Sequence, residues 1–141
     1  MGSAGLRPEP LRLLLDTHIL LWNLLEPDRL GRDVAAALDG PANQVWLSPV
    51  VIWEVLVLAE RGRVELSSDS TTWVRHVLKT LPFHEAPLTH EVAIQSRRLD
   101  LPHQDPVDRF LVATALVYDL TLVTADRRLI DARLVQTLPG R

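Results

Sequence analysis

The sequence predicts an α/β domain in which a short parallel sheet is covered by helices on both faces. Three short apolar runs, LRLLLD, VWLS and LTLVT, have the length and composition of strands buried on both faces. Segments with helical signals separate these runs, and strands that alternate with helices form parallel sheets. No repeat, low-complexity stretch or long linker divides the chain, so we expect one domain over 11–141 after a flexible extension at 1–10.

The first half of the chain begins with the strand that we expect at the centre of the sheet. The predicted elements are a strand over 11–16, helices over 17–25 and 30–40, a strand over 45–48 and a helix over 49–62. Gly40 and Pro41 end the second helix. Ser48 is a good N-cap and Pro49 suits the first helical position, so the apolar run after them predicts a helix.

The second half of the chain repeats the alternation. The predicted elements are an extended piece at 63–66, a helix over 70–81, a strand in 83–87, a helix over 89–99, a loop at 101–104, a helix over 105–119, a strand over 120–124, a short helix and an edge strand over 134–138. Asp105 and Pro106 give the helix at 105–119 a strong start signal.

Composition limits the class of protein. The 141 residues are 47% hydrophobic and 23% charged, which is globular rather than disordered. A net charge of −3 argues against wrapping duplex DNA by bulk electrostatics. No run approaches the ~20 apolar residues that span a bilayer. The absence of cysteine excludes disulfides and thiolate metal sites and is compatible with a cytoplasmic protein.

Acidic residues recur where the strands end. In parallel sheets, sites form outside the carboxyl ends of the strands. Asp16 ends the first strand, and Asp126 lies just beyond the strand at 120–124. Asp105 and Asp108 begin the helix that leads into that strand, and Glu54 lies one and a half turns into the helix after 45–48. We therefore expect these acids to converge at one edge of the sheet.

Most of these acids also have a structural explanation. Asp105 and Asp108 form a near capping box, and the helix dipole favours Asp126 in a first turn. Glu54 is different, because it lies too deep in its helix to cap it and interrupts the apolar run VVIWEVLVLA. A buried carboxylate is costly unless a cation or hydrogen-bond donors hold it. The sequence therefore predicts that Glu54 meets a metal ion.

A cluster of carboxylates without cysteine has a defined chemistry. Like charges at close range repel unless a cation lies between them. Sites with only oxygen ligands select hard ions, Mg²⁺ or Mn²⁺, rather than zinc. Such ions activate water for attack on phosphate esters. The residues therefore predict metal-dependent hydrolysis of a phosphodiester, with one or two ions.

Three segments resemble the PIN-domain ribonucleases and, within them, the VapC toxins of toxin–antitoxin pairs. They are LLLDTHILLW, SPVVIWEVLVLAERGRV and LPHQDPVDRFLVATALVYDLTLVTADRRL, and the resemblance runs from about Leu11 to Leu138. It implies a three-layer α/β/α fold and an Mg²⁺-dependent endoribonuclease, commonly dimeric, that cuts RNA and blocks translation. It also implies a small antitoxin as partner, and the apolar helix 49–61 with Trp53 is a candidate for its groove or for the dimer interface.

The resemblance carries over to individual positions. Asp16, Glu54, Asp108 and Asp126 match the catalytic acids of the family pattern, with Asp16 and Asp108 as metal ligands and Glu54 and Asp126 as further ones, directly or through water. Many PIN domains place the third acid one position later, where this chain has Arg109, so the choice between Asp105 and Asp108 stays open. We favour Asp108, with Asp105 as a supporting or capping residue.

Further side chains are candidates to support the site or to bind RNA. Thr17 and Thr124 could donate hydrogen bonds that orient the carboxylates. The candidates for RNA phosphates are Arg61, Arg63, Arg109, Arg127 and Arg128. The histidines, His18, His76, His84, His90 and His103, lack metal-ligand spacing, and we interpret them as structural or surface residues. No residue is placed to activate a 2′-hydroxyl, so products with 3′-hydroxyl and 5′-phosphate ends are expected.

Three other classes are compatible with parts of this pattern. A catalytically idle PIN module that binds a protein or RNA partner would keep the fold, but the intact acids argue against it. A DNA nuclease of the flap type would need additional helices that the chain scarcely holds. A phosphatase or receiver domain with Asp16 as nucleophile would need a second acid where His18 stands.

Overall fold

The fold was analysed in a computed structural model that describes residues 10–141, and nearly all of the predicted extension at 1–10 lies outside this range. The strands are β1 (Arg12–Leu15), β2 (Gln44–Leu47), β3 (His84–Glu85), β4 (Thr121–Thr124) and β5 (Thr137–Pro139). They form one sheet in the order β3-β2-β1-β4-β5, and every neighbouring pair is parallel.

Helices connect the strands and cover the sheet. Within residues 10–141 they are α1 (Thr17–Leu25), α2 (Arg32–Asp39), α3 (Pro49–Glu60), α4 (Ser70–Thr80), α5 (His90–Arg98), α6 (Pro106–Tyr118) and α7 (Arg127–Ala132), with a 3₁₀ turn at Pro27–Arg29. None of the helices in this range is long and apolar enough to cross a membrane. The prediction of an α/β fold with a short parallel sheet is confirmed.

Strand β1 forms the centre of the molecule. Leu14 lies opposite Trp46 of β2 on one side and Leu122 of β4 on the other. The side chains of Leu13, Leu14 and Leu15 are fully buried, as expected for a strand covered on both faces. Because all strands run in parallel, the carboxyl ends of β1, β2 and β4 lie at one edge of the sheet.

Local capping explains where the main helices begin. The hydroxyl of Ser48 accepts a hydrogen bond from the backbone N–H of Val50, and Pro49 occupies the first position of α3. Asp105 caps α6 in the same way ahead of Pro106. Each cap satisfies a backbone donor that the first turn leaves unpaired. Both predicted helix starts are confirmed.

Two predictions of extended structure need correction. The piece at 63–66 is not a strand, because the backbone N–H of Arg63 donates to Leu58 O at 2.9 Å and so closes α3. Gly62, with a φ of 68°, and its bond to Ala59 O complete this helix end, a conformation that favours glycine. The edge strand expected over 134–138 exists but covers Thr137–Pro139, after an irregular stretch.

Candidate active site

Asp16 lies directly after β1 and is held from two sides. One carboxylate oxygen accepts a hydrogen bond from the backbone N–H of Ile19 at 2.9 Å, so Asp16 is the N-cap of α1. The other oxygen accepts a short hydrogen bond from the hydroxyl of Thr124, the last residue of β4. Neighbouring central strands thus fix the orientation of this carboxylate.

Asp126 is tied to the same threonine. Its backbone N–H donates to the Thr124 hydroxyl oxygen at 3.0 Å. Its side chain caps α7 by accepting a hydrogen bond from the backbone N–H of Arg128 at 2.9 Å. The single hydroxyl of Thr124 therefore connects the turn that carries Asp126 with the carboxylate of Asp16.

Helix α6 supplies two further acids from its first turn. One carboxylate oxygen of Asp105 accepts hydrogen bonds from the backbone N–H groups of Val107 and Asp108, at 2.9 and 3.2 Å. The side chain of Asp105 is thus committed to capping. The side chain of Asp108 does not cap the helix, and it is only 17% exposed.

The acids face a common cavity of about 320 Å³ at the carboxyl edge of the sheet. Its lining residues include Asp16, Glu54, Asp105, Asp108 and Asp126, together with Thr17, His18, Trp22 and Arg128. Within residues 10–141, the carboxylate of Glu54 has neither a hydrogen-bond partner nor an ion-pair partner. Glu54 therefore stands in the cavity wall as an uncompensated acid, where a bound cation could reach it.

Burial and mutual repulsion act on the protonation of these acids. Burial raises the pKa of Asp16, which the hydrogen bonds from Thr124 and Ile19 partly oppose, and the charge of Glu54 raises it further. Burial also raises the pKa of Asp108 to about 6, with added repulsion from Asp105 and Asp126. In both cases burial is the largest cause, and repulsion between the acids adds to it.

Two basic residues, Arg128 and His103, lie against these acids. Nη2 of Arg128 is 2.9 Å from an oxygen of Asp126 and 3.5 Å from an oxygen of Asp108. The hydrogen bond from Arg128 is the largest cause of the lowered pKa of Asp126. Nε2 of His103 lies 3.2 Å from Asp108. The spacing of the histidines did not predict this contact, although His103 stands only two residues before the acidic DPVD segment.

Thr17 has an unsatisfied hydroxyl beside the same cavity. Its side chain is 2% exposed, and within the described residues its Oγ1 has no hydrogen-bond partner. A buried hydroxyl without a partner is uncommon, since it costs free energy. The predicted hydrogen bond from Thr17 to a carboxylate is absent here, whereas the one from Thr124 is present.

The arginines predicted to bind RNA differ in exposure and in their partners. Arg109 is 4% exposed, and its guanidinium donates to the backbone carbonyls of Ser96, Leu99, Leu101 and His103. It is thus unavailable to RNA, and that prediction is wrong. Arg128 lines the cavity but is paired with acids. Arg61, Arg63 and Arg127 are exposed and do not line the cavity.

The chemistry of the donors fits Mg²⁺ or Mn²⁺. The cavity offers carboxylate oxygens and one unsatisfied hydroxyl, which are ligands of hard cations. Among the described residues, no three acidic or histidine side chains stand close enough to hold one ion together. The guanidinium of Arg128 contacts two of the acids, Asp108 and Asp126, and so places a positive charge between them.

A parallel sheet with acidic residues gathered at its carboxyl edge defines a class of protein. Comparison with known sequences identifies that class. A sequence model of the PIN domain matches residues 13–134. The chain therefore belongs to the PIN-domain family. It is 31% identical over 120 residues to "Ribonuclease VapC22" from Mycobacterium tuberculosis. The aligned region covers 83% of this chain and 88% of that protein.

Solved structures show the same fold. VapBC2 from Rickettsia felis, bound to a promoter DNA fragment, aligns with a TM-score of 0.71 and 12% identity over 93% of this chain and 100% of that chain. A toxin–antitoxin complex from Klebsiella pneumoniae aligns with a TM-score of 0.64 and 23% identity over 92% and 98% of the two chains. The family resemblance and the three-layer α/β/α fold are confirmed.

Proposed function

We propose that this chain is a metal-dependent endoribonuclease and the toxin of a toxin–antitoxin pair. The observation that carries the proposal is the shared cavity of Asp16, Glu54, Asp108 and Asp126 at the carboxyl edge of the sheet. Similarity to a VapC ribonuclease supports RNA as the substrate. Cleavage of cellular RNA in the cytoplasm would then inhibit translation.

Mg²⁺ is the proposed cofactor, with Mn²⁺ as a substitute. Asp16 and Asp108 are the proposed ligands, with Asp126 and Glu54 contributing directly or through water. When bound, the ion would activate water and neutralise charge at the scissile phosphate. Asp105 keeps the first turn of α6 in place, and Thr124 orients Asp16. We prefer Asp108 to Asp105 as ligand because the Asp105 carboxylate already caps the helix.

A protein partner is part of the proposal. Several structural neighbours are toxin–antitoxin complexes, which supports a small antitoxin as the cognate partner. The proposed homodimer rests on the resemblance to the family alone. Trp53 on α3 is 58% exposed, an unusual exposure for a side chain of this size. Such exposure suits an interface on helix 49–61, either with the antitoxin or between the two copies of a dimer.

The test is cleavage of total cellular RNA by purified protein with Mg²⁺, Mn²⁺ or EDTA. Asp16→Asn should lower the cleavage rate by more than ~100-fold, since even residues that only support metal ligands cost 10–100-fold. Asp39→Asn, which removes an exposed acid from the end of α2, should cleave as the wild type does. End mapping should give 3′-hydroxyl and 5′-phosphate products.

Other results would change the conclusion. Equal cleavage by the wild type and Asp16→Asn would mean a contaminating nuclease. If wild-type protein binds Mn²⁺ in a calorimetric titration, Asp16→Asn does not, and neither cleaves RNA, the chain would be an idle PIN module instead.

A further inference from the structure

Two exposed arginines, Arg29 and Arg141, lie over Trp22 beside the carboxylate cavity. Trp22 lines the cavity together with Asp16 and Glu54. It lies in the second turn of α1, about 9 Å along the helix axis from Asp16. Trp22 is only 7% exposed, and two guanidiniums contribute to its cover.

Two arginines lie over this indole. The guanidinium carbon of Arg29 lies 4.6 Å from a ring centroid of Trp22, and that of Arg141 lies 4.7 Å away. Stacking on an aromatic face uses the flat side of a guanidinium and leaves its N–H donors free at the edge. The indole therefore holds two sets of donors next to the acidic cavity.

These guanidiniums are available to an anion. Arg141 has no acidic partner among residues 10–141 within ion-pair distance. Arg29 contacts Glu26 at 3.1 Å, but both side chains are about half exposed, at 48% and 58%. Exposed pairs of this kind contribute little free energy, so a phosphate can replace Glu26 at small cost.

The backbone places Arg141 at this position. The N–H of Gly140 donates to Thr124 O, and the carbonyl of Gly140 accepts from the N–H of Gly31, both at 2.8 Å. A methyl group on Gly140 would collide with the buried side chain of Ile19. The close approach at Gly140 thus anchors Arg141 to the end of β4, the strand whose last residue orients Asp16.

We propose that Arg29 and Arg141, held over the buried ring of Trp22 and together with it called the arginine–tryptophan rim, bind the phosphate backbone of single-stranded RNA beside the scissile bond. This inference rests on the proposed function. An acidic site repels a polyanion, and cations at its rim offset this repulsion and align the strand. Contacts to phosphates carry no base information, so the rim would bind RNA of any sequence. Neither arginine was among the sequence-predicted RNA contacts.

The test is fluorescence anisotropy of two labelled single-stranded RNA oligonucleotides of different sequence, with Mg²⁺ present, in an Asp16→Asn background that prevents cleavage. Adding Arg29→Gln or Arg141→Gln should weaken binding of both oligonucleotides by about 3- to 10-fold and reduce the salt slope of log Kd by about 0.7 each. Arg141→Lys keeps the charge and should keep the slope. Arg75→Gln, an exposed arginine on α4, is the matched control and should change neither.

The outcomes separate this inference from the proposed function. Wild-type-like affinity and salt slope in both glutamine variants would overturn the rim, even if the wild-type protein cleaves RNA as proposed. If the slope falls as expected but the wild-type protein cleaves no RNA, the rim stands and the proposed nuclease fails. A thermal melt of each variant identifies a loss of binding that comes only from unfolding, because unfolding leaves the salt slope of the folded fraction unchanged.

Discussion

The hydroxyl of Thr124 has two hydrogen-bonding duties at the candidate site. It donates to Asp16 and accepts from the backbone N–H of Asp126, and its side chain is fully buried. Donation to a carboxylate favours the ionised form, which opposes the effect of burial on Asp16. One small polar side chain thereby orients the acid that ends β1 and favours its ionised form, although burial still raises its pKa.

Thr124→Val removes these hydrogen bonds and keeps the shape of the side chain. We expect metal affinity and RNA cleavage to fall by about 10- to 100-fold, as for other residues that orient metal ligands. Mn²⁺ titration calorimetry and the total-RNA assay measure the two effects. Thr114→Val is the control, because Thr114 is equally buried on α6 but bonds only to Phe110 O. Equal losses in both variants would contradict a special role for Thr124.

At the residue scale, the sequence predicts what depends on neighbours in the chain. The caps by Ser48 and Asp105 follow from local patterns, and both form as predicted. The burial of Arg109 and the contact of His103 with Asp108 depend on how a loop folds back over α6. No local pattern encodes that arrangement. From the sequence, an arginine beside an acidic motif, such as Arg109, is therefore predicted to contact RNA.

At the scale of elements, Arg109 organises the segment that joins α5 to α6. Its guanidinium donates hydrogen bonds to backbone carbonyls at the end of α5 and in the following loop. The last carbonyls of a helix lack partners within the helix, and a buried loop has the same need. This one side chain replaces the backbone pairing that a sheet would provide, and it also holds His103 near Asp108.

Arg109→Met should destabilise the protein by about 3 kcal/mol or more. Methionine retains much of the volume but leaves several buried carbonyl acceptors without donors, each costing about 1–3 kcal/mol. Urea denaturation followed by circular dichroism gives the free energy of unfolding. Arg98→Met, at the exposed end of α5, should lie within about 0.5 kcal/mol of the wild type. A similar result for Arg109→Met would show that the loop finds other donors.

Strand and helix positions followed well from the sequence where an element has one strong signal. The central apolar strand and the helix after Pro106 are examples. The piece at 63–66 has the composition of a strand, but its backbone is used to close α3. Edge strand β5 begins later than expected because pairing with β4, which is remote in sequence, sets its register.

At the scale of the whole molecule, the site lowers the stability of the metal-free protein. The pKa of Asp108 is raised from 3.8 to about 6, so the folded protein binds this proton more tightly than the unfolded chain does. Stability is therefore lost as the pH rises through this window, and at neutral pH the ionised group opposes folding. Arg128 and His103 relieve only part of this cost.

Asp108→Asn should therefore gain stability over the wild type as the pH rises from about 4 to about 7. In EDTA we expect a difference on the order of 1 kcal/mol at neutral pH, reduced by solvent screening and by the lost contacts of Asp108. Thermal melts across this pH range measure it as a few degrees in Tm. Asp131→Asn, at an exposed carboxylate on α7, provides the control. A difference that does not change with pH would contradict the raised pKa.

The distance along the chain between Asp16 and its partner Thr124 also affects how the protein is made. The two residues are 108 positions apart, and β4 is one of the two neighbours of β1 in the sheet. A ribosome adds about 5–20 residues per second, so Thr124 follows Asp16 by roughly 5–20 s. During that interval the growing chain has the first acid but neither the strand that completes its surroundings nor Asp126. The carboxylate edge of the sheet therefore forms only after β4 and Asp126 have been synthesised.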